Sequence, residues 1–273
     1  MCSAGWTQIG QNLTVEPKAT LPADNRMALS RNGKVVALGG NERILGPNGY
    51  VQVFELSVQN VWVPKGQRLS GEEFRKNWIV QMTALNANGS VLAISTRERI
   101  SDRPYNNTKY VVTQVFHYSQ ENNTWFQVGS SMQGSDAGLS ISLSDPGDVL
   151  AVSESSGIIS NGPGNGTTTV YHWNQNGQDW SPLGSSLVGQ NNGNLLGWSI
   201  DLSADGSRIV VGAPWYSHNR SEAVGLCQVY QHNKTDSAWG QLGQDLIGGK
   251  FDHLGNAVSI SYGKSSCCNQ SDF

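Results

Sequence analysis

The sequence predicts an all-β fold built from one repeated unit, and three observations predict it. A tryptophan block recurs at intervals of 55 to 63 residues. Glycine-centred turns separate short strand-like segments, and no segment shows the apolar period of 3.6 residues that a helix requires. Among the 273 residues, 32 are glycine and only 14% are charged, which is typical of a turn-rich β protein.

The tryptophan block has the pattern Trp-x-x-x-Gly and occurs five times. An aliphatic residue or methionine follows each tryptophan after seven residues. Such regularity indicates a structural repeat rather than chance. Because a large ring fills a gap between two sheets well, we expect these tryptophans to pack between neighbouring units. The blocks begin at Trp6, Trp62, Trp125, Trp180 and Trp239.

A second block of each unit reads as a β-hairpin. Its centre is a glycine that follows asparagine, proline or aspartate, and such pairs allow the positive φ of a tight turn. The flank after the turn is almost wholly apolar, as in a strand buried on both faces. We name the two flanks strands a and b. The hairpins span residues 28–38, 84–94, 142–152 and 201–211.

A third block supplies strand c, and the tryptophan block supplies strand d. Strand c alternates polar and apolar residues and ends on an aromatic residue, as in Val51–Phe54 and Cys227–Tyr230. Four antiparallel strands that repeat around an axis describe a blade of a β-propeller. The predicted fold is therefore an all-β propeller of four-stranded antiparallel blades, with four complete blades and parts of a fifth.

We expect residues 1–261 to form a single propeller domain and 262–273 to form an irregular tail. A strand a at 254–261 and an orphan strand d at 6–10 belong to an incomplete fifth blade, because strands b and c are missing. Two interpretations stay open: a piece of a larger propeller, which we favour, or a short circle closed by the orphan strand. The complete blades are predicted at 26–66, 79–129, 138–184 and 197–243.

Composition excludes several classes of partner. The formal net charge is −3 without clusters of Lys or Arg, so we expect no nucleic-acid partner. The sequence has no run of 18 apolar residues, so we expect no insertion into a membrane. No signal peptide is visible at the start. The 4 cysteines have no ligand spacing, and the 5 histidines are spread over different units. We therefore expect no metal and no cofactor.

No catalytic motif is present, so we predict that the protein is not an enzyme and has no catalytic residues. A Gly-x-Ser-x-Gly elbow, an HExxH helix and a P-loop are all missing. One alternative is a glycan-active enzyme on a propeller scaffold, which would need two carboxylates facing one cleft. The other is a structural or degenerate propeller fragment without activity of its own.

Loop lengths favour a recognition module for a protein or a glycan. The a–b turns are short, whereas the b–c loops on the opposite face are long and dissimilar, and such loops on a rigid scaffold commonly bind ligands. We predict these loops at 39–49, 95–110, 153–167 and 212–225. The candidate binding residues that they hold are Arg43, Arg97, Arg99, Asp102, Trp215, His218 and Arg220.

The fourth unit resembles the FG-GAP repeat of integrin α-chain N-terminal propellers. The resemblance rests on Leu196–Ile200 followed by Val211–Pro214. It implies a cell-surface or extracellular binding protein. The calcium loop common in that family is reduced here to a turn around Asp205, so we do not expect calcium. Kelch propellers are the runner-up, because the first unit has Gly39-Gly40, Tyr50 and Trp62.

Eight Asn-x-Ser/Thr sequons add to the case for a glycoprotein of the secretory pathway. They exceed the number that the asparagine, serine and threonine contents would give by chance. The lack of a visible signal peptide points the other way, so the localisation stays open between these observations. The sequons begin at Asn12, Asn88, Asn106, Asn122, Asn165, Asn219, Asn233 and Asn269.

Overall fold

The computed structural model describes residues 6–13, 27–42, 48–70, 78–99, 109–135, 137–154, 164–190, 193–217 and 223–261. Within these ranges the chain has twenty β-strands and no helix. The strands form four antiparallel sheets that follow one another along the chain, each with the order a-b-c-d. The predicted all-β propeller fold of four-stranded blades is confirmed.

The first two sheets, blades 1 and 2, come from residues 27–135. Blade 1 contains β1 (Met27–Leu29), β2 (Val35–Glu42), β3 (Asn48–Leu56), β4 (Trp62–Pro64) and β5 (Leu69–Ser70). Blade 2 contains β6 (Trp78–Leu85), β7 (Val91–Arg99), β8 (Lys109–Ser119), β9 (Thr124–Gln127) and β10 (Met132–Ser135).

The last two sheets, blades 3 and 4, come from residues 137–247. Blade 3 contains β11 (Ala137–Leu143), β12 (Val149–Glu154), β13 (Thr167–Asn174), β14 (Asp179–Pro182) and β15 (Leu187–Val188). Blade 4 contains β16 (Ser199–Leu202), β17 (Arg208–Ala213), β18 (Leu226–Asn233), β19 (Ala238–Gln241) and β20 (Leu246–Ile247).

Strand d of every blade is interrupted, and this differs from the predicted units, which end at the glycine of the tryptophan block. In blade 1, β4 and β5 both pair with β3, and Gly66 lies between them. Its φ of +74° is a conformation that side chains with a Cβ rarely adopt. The chain bulges there and then returns to the same neighbouring strand. The other blades repeat this break at Gly129, Gly184 and Gly243.

The core of the protein lies between blades rather than within them. One apolar cluster joins blades 1 and 2, a second joins blades 2 and 3, and a third joins blades 3 and 4. Strand b supplies more of these buried residues than any other strand, because it carries apolar side chains on both of its faces. Val35, Leu92, Leu150 and Ile209 of the four b strands are all fully buried.

The repeated tryptophans join consecutive blades, and we call this contact the tryptophan clip. The indole Nε1–H of Trp125 in blade 2 donates to the carbonyl oxygen of Lys65 in blade 1, at 2.8 Å. The same bond recurs at three of the other four repeated tryptophans, always to the residue before the glycine of the preceding block. The other three pairs are Trp62 with Ile9, Trp180 with Val128, and Trp239 with Leu183.

The glycine of each block completes the clip by leaving room for the ring of the next tryptophan. A Cβ at Gly66 would lie 2.6 Å from Cδ1 of Trp125, and a Cβ at Gly10 would lie 2.5 Å from Cδ1 of Trp62. Such distances are too short for carbon atoms in contact. The pattern Trp-x-x-x-Gly therefore encodes both halves of one interblade contact: a donor ring and a seat without a side chain.

The a–b turns on the short-turn face are joined as well. The backbone N–H of Asn32 donates to the carbonyl of Ala87, Ala87 donates to Asp145, and Asp145 donates to Ala204. Arg31 of blade 1 also forms an ion pair with Asp145 of blade 3, across the turn of blade 2. These contacts join the four turns to one another in chain order.

Segments at both ends of the described chain extend the repeat. Gln11 exchanges two hydrogen bonds with the backbone of Trp62, as Gln67 does with Trp125. Residues 6–13 therefore lie beside blade 1 in the position of a strand d.

At the other end, residues 254–261 lie beside blade 4 in the position of a strand a, although they form no regular strand. The backbone N–H of Ile260 donates to Asp201, and Leu254 forms an isolated bridge with Gly225. A Cβ at Gly212 would lie 2.1 Å from the carbonyl oxygen of Gly255, so these two glycines allow a close approach of the backbones.

Candidate functional site

Of the seven residues predicted on the b–c loops, the structure describes the side chains of two. Arg43, Asp102, His218 and Arg220 lie outside the described residues, so their placement stays a prediction. Arg99 is the last residue of β7, and only its backbone is described.

The loop between strands b and c of blade 2 is shorter than predicted. β7 continues to Arg99 and β8 begins at Lys109, so Arg97 and Arg99 lie in a strand and not in a loop. Arg97 is half-buried between Ile79 and Val111. The predicted end of the strand lies too early, because Arg and Glu residues interrupt the apolar run, whereas backbone pairing continues past them.

Trp215 is the predicted residue with the clearest exposed surface. It follows β17 in the b–c loop of blade 4, and 48% of its surface is exposed. The ring of His253 stands against it edge-on, with ring centroids 4.8 Å apart. His253 Nδ1 also lies 3.3 Å from the carbonyl oxygen of Pro214. Two neighbouring segments thus hold an exposed aromatic ring in a defined position on the long-loop face.

A shallow cleft opens next to this loop, between blades 3 and 4. It is a small depression whose free volume is about 10 Å³, roughly the space that one water molecule needs. Its apolar lining comes from strands b and c of blade 4 and from the d–a connection that follows blade 3. These residues are Leu196, Ala213 and Leu226. The polar lining consists of Gln190, Asn194, Tyr216, Gln228 and Asp245.

A hydrogen-bond network fixes the polar side of the cleft. Nε2 of Gln228 donates to Oδ1 of Asp245 at 2.7 Å, and Nε2 of Gln241 donates to the same oxygen at 2.7 Å. The hydroxyl of Tyr230 donates to Oε1 of Gln228 at 2.9 Å. Burial of Tyr230 and the nearby charge of Asp245 both raise the pKa of Tyr230. The phenol therefore remains a neutral donor at neutral pH and holds the amide of Gln228 in one orientation.

Chemically, the cleft presents hydrogen-bonding groups beside an apolar floor. Its lining contains one carboxylate, that of Asp245, whereas the glycosidase alternative needs a facing pair. In the described part of the chain, no three His, Cys, Asp or Glu side chains converge to hold a metal ion.

The polar residues of the cleft are not among the predicted binding residues. Gln228 lies in strand c, where the alternation of side chains already places it on one face, so the pattern contained a signal. Gln190 and Asn194 lie on a d–a connection, and Asp245 lies beyond the glycine at which the predicted blade ended. The bulge in strand d brings Asp245 back beside strand c, and no spacing rule indicated this return.

Comparisons with known proteins give no family for the chain. No protein-family model and no curated protein match the sequence. Solved structures match with low TM-scores and low sequence identity. Sqt1 of Saccharomyces cerevisiae has a TM-score of 0.44 at 12% identity, covering 93% of this chain and 66% of its own. The periplasmic gluconolactonase of Pseudomonas aeruginosa has a TM-score of 0.38 at 12% identity, covering 82% of this chain and 70% of its own.

A puromycin hydrolase has a TM-score of 0.43 at 10% identity, and the match covers 83% of this chain but only 29% of the hydrolase. The chain thus spans less than a third of that enzyme. The propeller fold follows from the strand order and pairing of this chain itself. No helix in the described residues is long and apolar enough to cross a membrane.

Proposed function

We propose that the protein is a non-catalytic binding module whose ligand, a protein or a glycan, docks on the long-loop face of blade 4. The observation that carries the proposal is the exposed ring of Trp215, held in place by His253 beside a cleft of fixed polar groups. An aromatic anchor next to oriented hydrogen-bonding groups is the usual composition of a recognition surface.

The chemistry of the cleft favours a neutral, polar ligand. Gln190 and Asn194 contribute amide groups that both donate and accept hydrogen bonds, whereas the amide of Gln228 is held by Tyr230 and Asp245. Sugar hydroxyls and peptide groups pair with such amides. A tryptophan face can stack on the apolar face of a sugar ring or on an apolar side chain.

The FG-GAP resemblance of Leu196–Pro214 supports the same proposal, because it points to cell-surface recognition. Gly197 and Gly212, two glycines of that pattern, have structural roles here: a Cβ at Gly197 would lie 2.8 Å from Cβ of Ser153, and Gly212 lies against Gly255. The pattern thus serves the packing of strand a on the preceding blade. An extracellular location remains part of the proposal.

Binding to peptide and glycan arrays, followed by calorimetry on the ligand that is found, tests the proposal. We expect Trp215→Ala to weaken binding about thirtyfold, as loss of an aromatic anchor does. Phe126→Ala is the matched control, because Phe126 is 49% exposed and stands edge-on to His117 in blade 2. Equal weakening by both variants, or binding that neither variant changes, would contradict the proposal.

A further inference from the structure

Two halves of the tryptophan clip have no counterpart within the described chain. The first is the seat at Gly243 in blade 4. Its φ is +77°, as at the other seats, but no described heavy atom lies within 4 Å of the place where a Cβ would be. The second is the donor Trp6, whose side chain is fully exposed. The four other seats, at Gly10, Gly66, Gly129 and Gly184, are each occupied by a tryptophan of the next block.

Apolar residues beside the open seat are exposed where their counterparts are buried. Leu246 in β20 is 51% exposed. It occupies the same position as Leu69 and Leu187, which are 1% and 7% exposed and belong to the clusters between blades. Leu242, whose carbonyl precedes the seat, is 39% exposed. The exposed surface at this end of blade 4 therefore includes these two leucines as well as the glycine seat.

The opposite end of the array shows the same feature. Leu29 in strand a of blade 1 is 60% exposed, whereas Leu143 and Leu202 at the same position are 9% and 1% exposed. Both counterparts pack on the preceding blade. Among the described residues, only the segment 6–13 lies on this side of blade 1, and no complete blade packs there.

We propose that Leu242, Gly243 and Leu246 form a docking surface for the Trp6–Leu13 segment of a second copy of this chain. The same contact occurs four times within the chain. Each time, a tryptophan Nε1–H donates to the carbonyl oxygen that precedes the glycine of the preceding block. The indole of Trp6 would donate to the carbonyl of Leu242, as Trp239 donates to that of Leu183.

A second copy is the occupant rather than the same molecule. Among the described residues of one chain, Gly10 is seated against Trp62, while the Trp6 ring is exposed and the Gly243 seat is open. The two free halves differ from each other, one being a donor ring and the other a seat. The association is therefore head-to-tail, and each added copy presents a new free seat.

Sedimentation velocity over a concentration series tests this proposal. We expect the wild-type chain to form dimers and larger species as concentration rises. Trp6→Ala removes the donor ring without disturbing a packed residue, and Gly243→Ala places a methyl group in the seat. Each should weaken association about thirtyfold. Gly33→Ala is the control for the second change, because Gly33 also has positive φ and open space around its Cβ position.

Mixing the two variants gives the decisive result. Trp6→Ala keeps an intact seat and Gly243→Ala keeps an intact donor, so an equimolar mixture should form one-to-one dimers and nothing larger. A wild-type chain that stays monomeric at every concentration would overturn the proposal. So would a monomer whose melting temperature falls in both variants independently of concentration, since that result assigns the clip to closure within one chain.

Discussion

Trp125 in blade 2 donates its indole N–H to the carbonyl oxygen of Lys65 in blade 1, and both residues are buried, with 3% and 8% of their surface exposed. A buried carbonyl that loses its hydrogen-bond donor is left unsatisfied, and the free-energy cost of its desolvation is then no longer offset. Trp125→Phe keeps most of the ring and removes the donor. We expect it to lower the free energy of unfolding by about 1–3 kcal/mol, measured by urea denaturation.

The control for this substitution is Trp215→Phe. Trp215 is half exposed, and substitutions at such surface positions usually change stability by no more than about 0.5 kcal/mol. Equal losses in the two variants would contradict a specific role of the indole N–H at Trp125.

The seat of the clip makes a second prediction. Gly66→Ala introduces a Cβ 2.6 Å from the Trp125 ring in a residue with φ of +74°. Gly33→Ala introduces a Cβ at φ of +68° with nothing within 4 Å. The control should lose about 1–2 kcal/mol from the backbone conformation alone. Gly66→Ala should lose about 1–3 kcal/mol more, because the ring must shift. Chemical denaturation of both variants measures the difference, and the steric account fails if the two losses are equal.

Asp179 predicts a pH dependence of stability. Its pKa is held below the ordinary value because the backbone N–H of Ser130, the backbone N–H of Trp180 and the Ser130 hydroxyl donate to its carboxylate, at 2.7, 2.8 and 2.9 Å. The folded state thus binds its proton less readily than the unfolded state. The stabilisation is complete above the unfolded pKa, near 4, and is lost as pH falls through the folded pKa.

Thermal melts from neutral pH down to the acid range test this sign. Asp179→Asn should reduce the acid-induced loss of stability in that window. Asp236→Asn is the matched control, because Asp236 accepts a hydrogen bond from Ala238 within its own turn and does not link two blades. An Asp179→Asn profile parallel to the wild type down to the most acidic pH would disprove the assignment.

Cys227 reports on the C-terminal segment. Burial raises the pKa of its thiol, and only 8% of its surface is exposed, so reaction with a disulfide reagent requires local opening. Asp201 accepts hydrogen bonds from Ser259 and Ile260 and thus holds that segment on blade 4. In a chain with Cys2, Cys267 and Cys268 replaced by serine, Asp201→Ala should speed labelling of Cys227 about tenfold or more.

Asp205→Ala is the control for this labelling experiment. Asp205 lies in the same blade but accepts hydrogen bonds from Ser203 and Ser207 within its own turn. If both aspartate variants speed labelling equally, the segment at 254–261 does not protect the thiol.

Much of the fold was predictable because each blade repeats the same local chemistry. Gly33, Gly89, Gly147 and Gly206 mark turns, and all four have positive φ as expected. Four of the five repeated tryptophans pack against the preceding unit, as their size suggested, and Trp6 does not. The donor–acceptor pairing with the preceding block was not predictable, because a residue such as Lys65 contributes its backbone carbonyl, and the type of its side chain carries no information about that role.

The candidate site was less predictable for a related reason. The interpretation of long b–c loops selected Trp215, which stands on the long-loop face. It also selected Arg97, but the backbone of Arg97 pairs with both neighbouring strands, so this residue belongs to β7 and not to the loop. The network around Gln228 depends on Asp245, and the path of the chain through the Gly243 bulge decides where that carboxylate lies. Such a bulge follows from tertiary pairing and not from a local sequence pattern.

The direction of the tryptophan clip has a consequence for biosynthesis. The accepting carbonyl and its glycine always precede the donating tryptophan in the chain, by 53 residues between Ile9 and Trp62 and by 60 between Lys65 and Trp125. During translation each seat leaves the ribosome before the ring that will fill it. The seat for the tryptophan of blades 2, 3 and 4 is therefore already synthesised when that blade is made, so that assembly can proceed vectorially from the N-terminus.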